Sequence, residues 1–369
     1  MINQTTESYG LKLTKLKKTI LNNNLYLALV IGLGLIVIGL SFGWYNNRLV
    51  PLSTNPVARY TAAPHNPLSF MSNWDGPDYL RIATKGYDSK SLTNFFPLYP
   101  IVIYVVNFII GSPLDSALLI SWVCLVGLVY FYLKIVDTVF SEKGSAGLRA
   151  VLLLLLFPTA VFFLATYTES MFAVLALGSI YFALNKKYLQ AAALALPMSA
   201  THITSVFVLG LIGLIMLEQK AKLKTIVATL VTGSLGLIAY MIYLEAKFKA
   251  PLAFITSQES HGWLSTGYRG LASIDVFNVV FIVLLIIAAI YWWKKRLSFA
   301  LYSLMFLLIP LVGQQFGGFN RYVLMAFPVP LMLYAVSRKR PNLYIIFIVA
   351  TTIAWTYTLL QYAGGYIGS

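Results

Sequence analysis

The chain has 369 residues, of which 59% are hydrophobic and only 11% charged, with a formal net charge of +15. Soluble domains carry about 25% charged residues, so this composition excludes an ordinary soluble fold. The apolar residues fall into runs of roughly 18–25, the length that spans a hydrocarbon core, and the short alternating segments of a barrel are absent. The chain reads as an all-α polytopic membrane protein forming a single membrane domain over residues 1–369.

In chain order, residues 1–23 are polar and basic, with Lys12, Lys15, Lys17 and Lys18, and read as a cytoplasmic tail ahead of an uncleaved first span. Spans are expected at 24–44, 95–111, 114–134, 148–166, 169–185, 188–217, 225–245, 275–293, 298–313, 321–336 and 342–362, about eleven. The basic residues cluster in short loops, as in Trp293-Lys294-Lys295-Arg296 and Ser337-Arg338-Lys339-Arg340. That pattern is the positive-inside signal, with a lesser contribution from anionic lipid headgroups, so the charge implies membrane lipids rather than nucleic acid as partner. It puts two long segments outside: residues 45–94, rich in aromatics and prolines, and residues 246–274. Cys124, the only cysteine, lies in an apolar run, so no disulfide forms within the chain.

The middle of the chain threads in two ways. If every span crosses once, Lys186-Lys187 falls outside and Glu169 inside, and this simple count is preferred because single-loop violations of the charge rule are common. The alternative keeps the lysines inside and Glu169 outside. It needs residues 188–217 to form a half-depth hairpin broken near Pro197 or His202, and one segment within 95–134 not to cross.

The first outer segment carries Asn73-Trp74-Asp75-Gly76-Pro77-Asp78. A short interfacial helix is expected over Asp78–Lys85, with aromatics at headgroup depth. Asp75 and Asp78, three apart, share a helix face and could serve as a base or hold a divalent cation. The competing reading makes Asp75 a helix cap with Asp78 favouring the dipole. Trp74 packs on sugar or lipid, or is a belt residue. Arg81 and Lys85 contact phosphate or headgroups. Polar groups inside the membrane are functional candidates by default, which adds Glu169 and His202; Glu169 could also cap a helix, and His202 could bond a neighbouring helix. In the second outer segment Gln258, Glu259 and His261 are candidates for the acceptor side, and Trp263 for substrate binding. The three histidines, His65, His202 and His261, are far apart, against a zinc site. There is no Gly-rich phosphate loop, against a cytosolic nucleotide donor.

Trp74-Asp75, Ile82-Ala83, Gly86-Tyr87 and Phe95-Phe96-Pro97-Leu98-Tyr99-Pro100 resemble the signature loop of the PIG-V mannosyltransferase family. Phe157-Pro158 with Tyr167-Thr168-Glu169-Ser170-Met171-Phe172, then Pro251-Leu252-Ala253-Phe254 with Gln258 and Trp263, then Arg321-Tyr322 with Ala326-Phe327-Pro328, resemble its later blocks in the same order. An arginine common in the family's sixth-span region is here His202. The resemblance implies a GT-C fold and an inverting transfer of sugar, mannose first, from a polyprenyl-phosphate donor to a lipid-linked glycan acceptor on the outer face, forming an α-linkage. It implies Asp75 as general base, Asp78 as second choice, and Arg321 beside Tyr322 as donor-phosphate ligand. It implies no cofactor and no required metal. The chain's shortness points to a prokaryotic relative in a plasma membrane. A GT-C transferase with another sugar or acceptor, and a lipid or glycan transporter, are the alternatives; the lack of paired repeats counts against the transporter.

Overall fold

A computed structural model describes residues 23–49, 53, 60–62, 65–142, 145–260, 275–313 and 318–366. Every long element in it is a helix. Five are long and apolar enough to cross a membrane: residues within α1 (Asn24–Leu49), and further on Pro113–Phe140, Leu223–Phe248, Val276–Trp293 and Pro341–Ala363; a pair bent by 65°, Phe319–Met325 and Pro328–Ser337, makes a sixth if it is one span. The outward faces stay apolar, with Ile109 and Ile290 more than two-thirds exposed, as a lipid environment allows. This is the helical membrane protein expected from composition.

The hydrogen bonds define two ends of the bundle. After α1 the chain reaches the segment around Asn73 and enters α2 (Gly76–Lys85), close to the expected interfacial helix, with Pro77 in its first turn where the missing N–H costs nothing. α3 (Leu98–Ile110) stops at Gly111 in the left-handed region, φ 75°. Pro113 then starts α4 (Pro113–Phe140), with Ser112 Oγ accepting from the Asp115 N–H. Asn66 donates to Asp115 Oδ1 at 2.9 Å, so α4 begins at the same end as the Asn73 segment. Its far end is tied to the start of α1, Asn24 donating to Asp137 Oδ2 at 2.7 Å. Leu98, the first residue of α3, donates at that first end too, to the Ala200 carbonyl at 3.0 Å. α3 therefore begins and ends at one end of the bundle and does not cross.

α5 (Ser145–Leu155) and a 3-10 turn at Ala160–Phe163 return the chain to the Asn73 end, where the Thr166 N–H donates to the Met71 carbonyl at 2.9 Å. α6 (Glu169–Leu184) leads away. α7 (Tyr188–Ser199) comes back and α8 (Ser205–Glu218) departs again. The pairing is visible at both ends: Thr168 Oγ1 donates to the Thr201 carbonyl at 3.3 Å, while Gln219 Nε2 donates to Ala183 and Leu184 carbonyls at 3.2 and 3.0 Å. The simple count is thus corrected. Residues 188–217 are a broken hairpin, Lys186-Lys187 share an end with Gln219, and Glu169 lies at the opposite end with Asn73. The physical cause is local: Pro197 sits in the last turn of α7, removing a backbone donor, and residues 200–204 turn the chain. At 12 and 14 residues the arms reach about 18 and 21 Å, short of a full hydrocarbon core of about 30 Å.

α9 (Leu223–Phe248) packs on α7. α10 (Ala253–Ser260), α11 (Val276–Trp293), α12 (Leu297–Met305), α13 (Leu308–Gly313), α14 (Phe319–Tyr322), α15 (Pro328–Ser337) and α16 (Pro341–Ala363) complete the order. Glu218 accepts from the Ser298 N–H and hydroxyl at 2.6 and 2.8 Å, joining α8 to α12 at the lysine-rich end. There Glu142 also pairs with Arg338 at 2.8 Å.

Gly236 is where α9 meets α7 most closely. A Cβ there would run into the Leu196 carbonyl and Ser199 Oγ, and backbone cannot yield as a side chain can. Small residues at such crossings are what membrane helices use in place of a hydrophobic drive. Gly236→Val is therefore expected to lower stability by about 1–3 kcal/mol, the range for overpacking, read as an earlier melting transition of the detergent-purified protein.

Candidate active site

The segment leading to Asp75 is fastened by side chains from two distant parts of the chain. Asn73 Nδ2 donates to the Tyr362 carbonyl at 3.0 Å, and Asn73 Oδ1 accepts the Tyr60 N–H at 3.2 Å. Tyr362 donates to the Met71 carbonyl at 3.1 Å. Tyr167 donates to the Asn73 carbonyl at 3.0 Å and accepts the Asp75 N–H at 3.1 Å. Thr166 Oγ1 donates to Ser72 Oγ at 2.8 Å, an approach that Gly76 allows because it has no Cβ. The buried backbone groups of this loop thus find partners, as burial demands. One residue is strained to make the turn: Trp74 has φ 59°, a left-handed conformation costly for a bulky residue, on the order of 1–3 kcal/mol.

Asp75 occupies the cap position of α2, yet its side chain makes no capping bond. Its Oδ2 is paired with Nη1 of Arg321. On another edge of the guanidinium, Nε lies 3.0 Å from Glu169 Oε1, an ion contact that is not aligned as a hydrogen bond. The three side chains are 8%, 6% and 3% exposed for Asp75, Arg321 and Glu169. Two carboxylates against one guanidinium leave a formal charge of −1 in a dry site. Charges are buried only at a large desolvation cost, so a triad of this kind needs an explanation that capping does not supply. Aromatic rings surround the cation: Tyr167, Tyr322 and Phe162 lie 5.4, 5.6 and 6.0 Å from Arg321 Cζ, within cation–π range. Tyr79, on α2, packs edge-on to Tyr99 at 5.3 Å, and burial pushes its hydroxyl well above the usual tyrosine range, so it stays neutral.

His202 stands next to this triad. Its ring packs edge-on to Tyr322 at 5.2 Å and against Phe172 at 5.4 Å. Its Nδ1 accepts the Thr204 N–H at 3.2 Å, which leaves Nε2 as the ring nitrogen able to face a ligand. Tyr322 therefore links His202 to Arg321 through ring contacts.

The remaining candidates lie elsewhere. Asp78 does not join Asp75. It lines a separate cavity of about 500 Å³ with Trp74, Arg81, Lys85 and Tyr60, and Arg81 pairs with Asp88 at 3.0 Å. Gln258 and Glu259 fall in α10, but their side chains, and all of His261 and Trp263, lie outside the described residues. A second cleft of about 540 Å³ runs between α2, α3 and α9, with Ile82, Tyr87, Pro100, Ile101, Tyr104 and Tyr240 among its walls; it is almost wholly apolar and Ile101 and Tyr104 are more than half exposed. Among the described residues no three His, Cys, Asp or Glu side chains gather as a metal site.

A family model described as mannosyltransferase (PIG-V) matches residues 51–327, three-quarters of the chain. The chain belongs to the mannosyltransferase (PIG-V) family. GPI mannosyltransferase 2 of Drosophila pseudoobscura pseudoobscura is 31% identical over 116 residues, which cover 29% of this chain and 25% of the relative; the match thus spans about a quarter of that relative's length. Asp75, Glu169, His202 and Arg321 all fall within the part matched by the PIG-V model, so the buried triad is built from the region that defines membership.

Several residues that shape the site were not singled out from the sequence. Tyr167 stands inside the Tyr-Thr-Glu-Ser block, and that block was its only signal. Asn73 heads the loop. Tyr362 gave none, being one aromatic in an apolar run. Tyr167→Phe tests the loop anchor. It leaves the buried Asp75 N–H without an acceptor, a penalty of about 1–3 kcal/mol, and is expected to give folded protein with a lowered melting transition and impaired activity.

Proposed function

We propose that this PIG-V family member transfers mannose from a polyprenyl-phosphate donor to a lipid-linked glycan on the outer face of a prokaryotic plasma membrane. The observation that carries the reading is the buried triad, where Asp75, Glu169 and Arg321, drawn from three separate sequence blocks, meet. A carboxylate and a guanidinium in one dry pocket are the two groups that this reaction requires. The acceptor hydroxyl is a weak nucleophile while protonated, and a carboxylate can take its proton. The departing phosphate needs positive charge and hydrogen-bond donors, and a guanidinium binds phosphate through two parallel bonds.

In this reading the acceptor oxygen attacks the anomeric carbon of the donor sugar. Its proton passes to Asp75, the bond from that carbon to the phosphate oxygen breaks, and the polyprenyl phosphate leaves on Arg321. A single displacement turns a β-linked phosphosugar into an α-linked product. His202 and Tyr322 flank the donor phosphate, and Glu169 lines the same pocket. Trp74, Asp78 and Arg81 form an adjoining sugar or headgroup surface, and Gln258, His261 and Trp263 the acceptor side. Arg321 already places a cation between the carboxylates, and we propose that no resident metal is required.

The membrane arrangement that goes with this reading is a GT-C fold. Placing the lysine-rich end in the cytoplasm puts Asp75, Glu169 and residues 200–204 at the outer end, with α3 lying along the interface and α7 and α8 as two short arms between the ends. The charge rule favours that orientation.

The test is transfer from radiolabelled polyprenyl-phosphate mannose to a panel of lipid-linked mannosides by detergent-purified protein. Asp75→Asn is expected to insert, fold and bind donor while losing transfer by about 10²–10⁴-fold, the usual contribution of a general base. Substantial remaining transfer would remove the base from Asp75. Turnover only of another polyprenyl-linked sugar would keep the mechanism and change the donor. Chelation by EDTA is expected to leave the rate unchanged.

A further inference from the structure

The triad has a feature that a simple base and phosphate ligand do not explain: the carboxylate proposed as base is paired with the arginine proposed to hold the phosphate, and a proton taken up there forfeits the attraction of the pair. Asp75 Oδ2 receives Arg321 Nη1. It cannot accept a hydroxyl proton from that direction while the pairing lasts. Asp75 is also not free to retreat, because its backbone N–H is held by Tyr167 at 3.1 Å and the preceding carbonyl of Asn73 by the same hydroxyl at 3.0 Å. The partner whose side chain has several rotatable bonds is the arginine. It sits on α14, a four-residue helix entered through Gly318 at φ 71°, at the end of a long side chain.

The second carboxylate acts on a different edge of the same guanidinium. Glu169 Oε1 is 3.0 Å from Nε, the nitrogen nearest the backbone. A turn of the guanidinium about its inner end sweeps the Nη atoms through a wide arc and moves Nε little. Glu169 is itself held at the first turn of α6 and buried to 3% side-chain exposure.

Resting on the reading of Asp75 as base and of a polyprenyl-phosphate donor, we propose that Glu169 is a positioning residue that keeps hold of Arg321 Nε while the Nη edge passes from Asp75 to the donor phosphate. Donor binding then unmasks the base. Asp75 and phosphate compete for one set of N–H donors, so each weakens the other's hold, and by linkage the effect is reciprocal. The consequence is order: the base becomes available only after donor phosphate is in place, which protects the site from futile proton transfer in its absence.

The test is the binding of a polyprenyl phosphate that carries no sugar, measured with the purified full-length protein, beside steady-state transfer. Asp75→Asn removes the competitor and is expected to tighten that binding by about tenfold, within the usual range of site coupling. The gain is expected to vanish in an Arg321→Lys background, since lysine lacks the planar fork. Glu169→Gln is expected not to tighten binding and to lower kcat more than it changes the donor KM, with Glu169→Asp recovering part of the rate. Equal tightening by Asp75→Asn and Glu169→Gln would mark a general charge effect and overturn the proposal. So would an Asp75→Asn protein that binds no more tightly than the wild type while the wild type transfers sugar. A wild type that neither binds polyprenyl phosphate nor uses any such donor would overturn the functional reading and this proposal with it.

Discussion

Arg321 is a buried cation shared by two buried carboxylates, and much of the architecture near the site can be understood as meeting that requirement. The Arg321 side chain is 6% exposed, Asp75 8% and Glu169 3%. Removing Arg321 would leave two buried carboxylates without a counterion in a low-dielectric pocket, where the penalty is several kcal/mol. The aromatic rings of Tyr167, Tyr322 and Phe162 around the cation replace part of the lost hydration through their negative faces. The site is thus pre-organised and dry, the condition under which electrostatic groups act most strongly on a reaction.

Holding such a triad requires that three chain segments arrive at one place in register. The helix ends do this. Asp75 starts α2 and Glu169 starts α6, and Arg321 lies in the short α14. The break between α7 and α8 brings His202 alongside. The hydrogen bonds of Asn73, Tyr167 and Tyr362 fix the loop before Asp75 to the last helix of the chain. The strained backbone of Trp74 belongs to the same device: it turns Asp75 inward while its own indole lines the neighbouring cavity. Cost accepted at one residue is offset by the bonds around it.

The hairpin of the short helices α7 and α8 shows where counting apolar runs falls short. A run of thirty residues with one proline and one histidine is compatible with one long span or with two short arms, because hydropathy measures length and polarity and carries no information about direction. The decision came from contacts: Gln219 reaches back to Ala183 and Leu184, and Thr168 reaches Thr201. Likewise α3 is as apolar as a span, yet Gly111 and Pro113 turn it back. The basic loops had already signalled this, since the hairpin arrangement brings Lys186-Lys187 to the same end as Lys220 and Lys222 and satisfies the charge rule.

From the sequence alone followed the membrane class, the starts of the expected helices to within a few residues, the PIG-V resemblance, and the choice of Asp75, Glu169, His202 and Arg321 as separate candidates. These are legible because hydropathy, basic loops and short motifs are local properties of the chain. Whether Asp75 capped a helix or met another charge was not legible, and neither was its separation from Asp78, three residues away. Those outcomes depend on which groups lie across the bundle, and Arg321 is 246 residues from Asp75. Only the tertiary structure, by excluding water from the place where they meet, made partners of them.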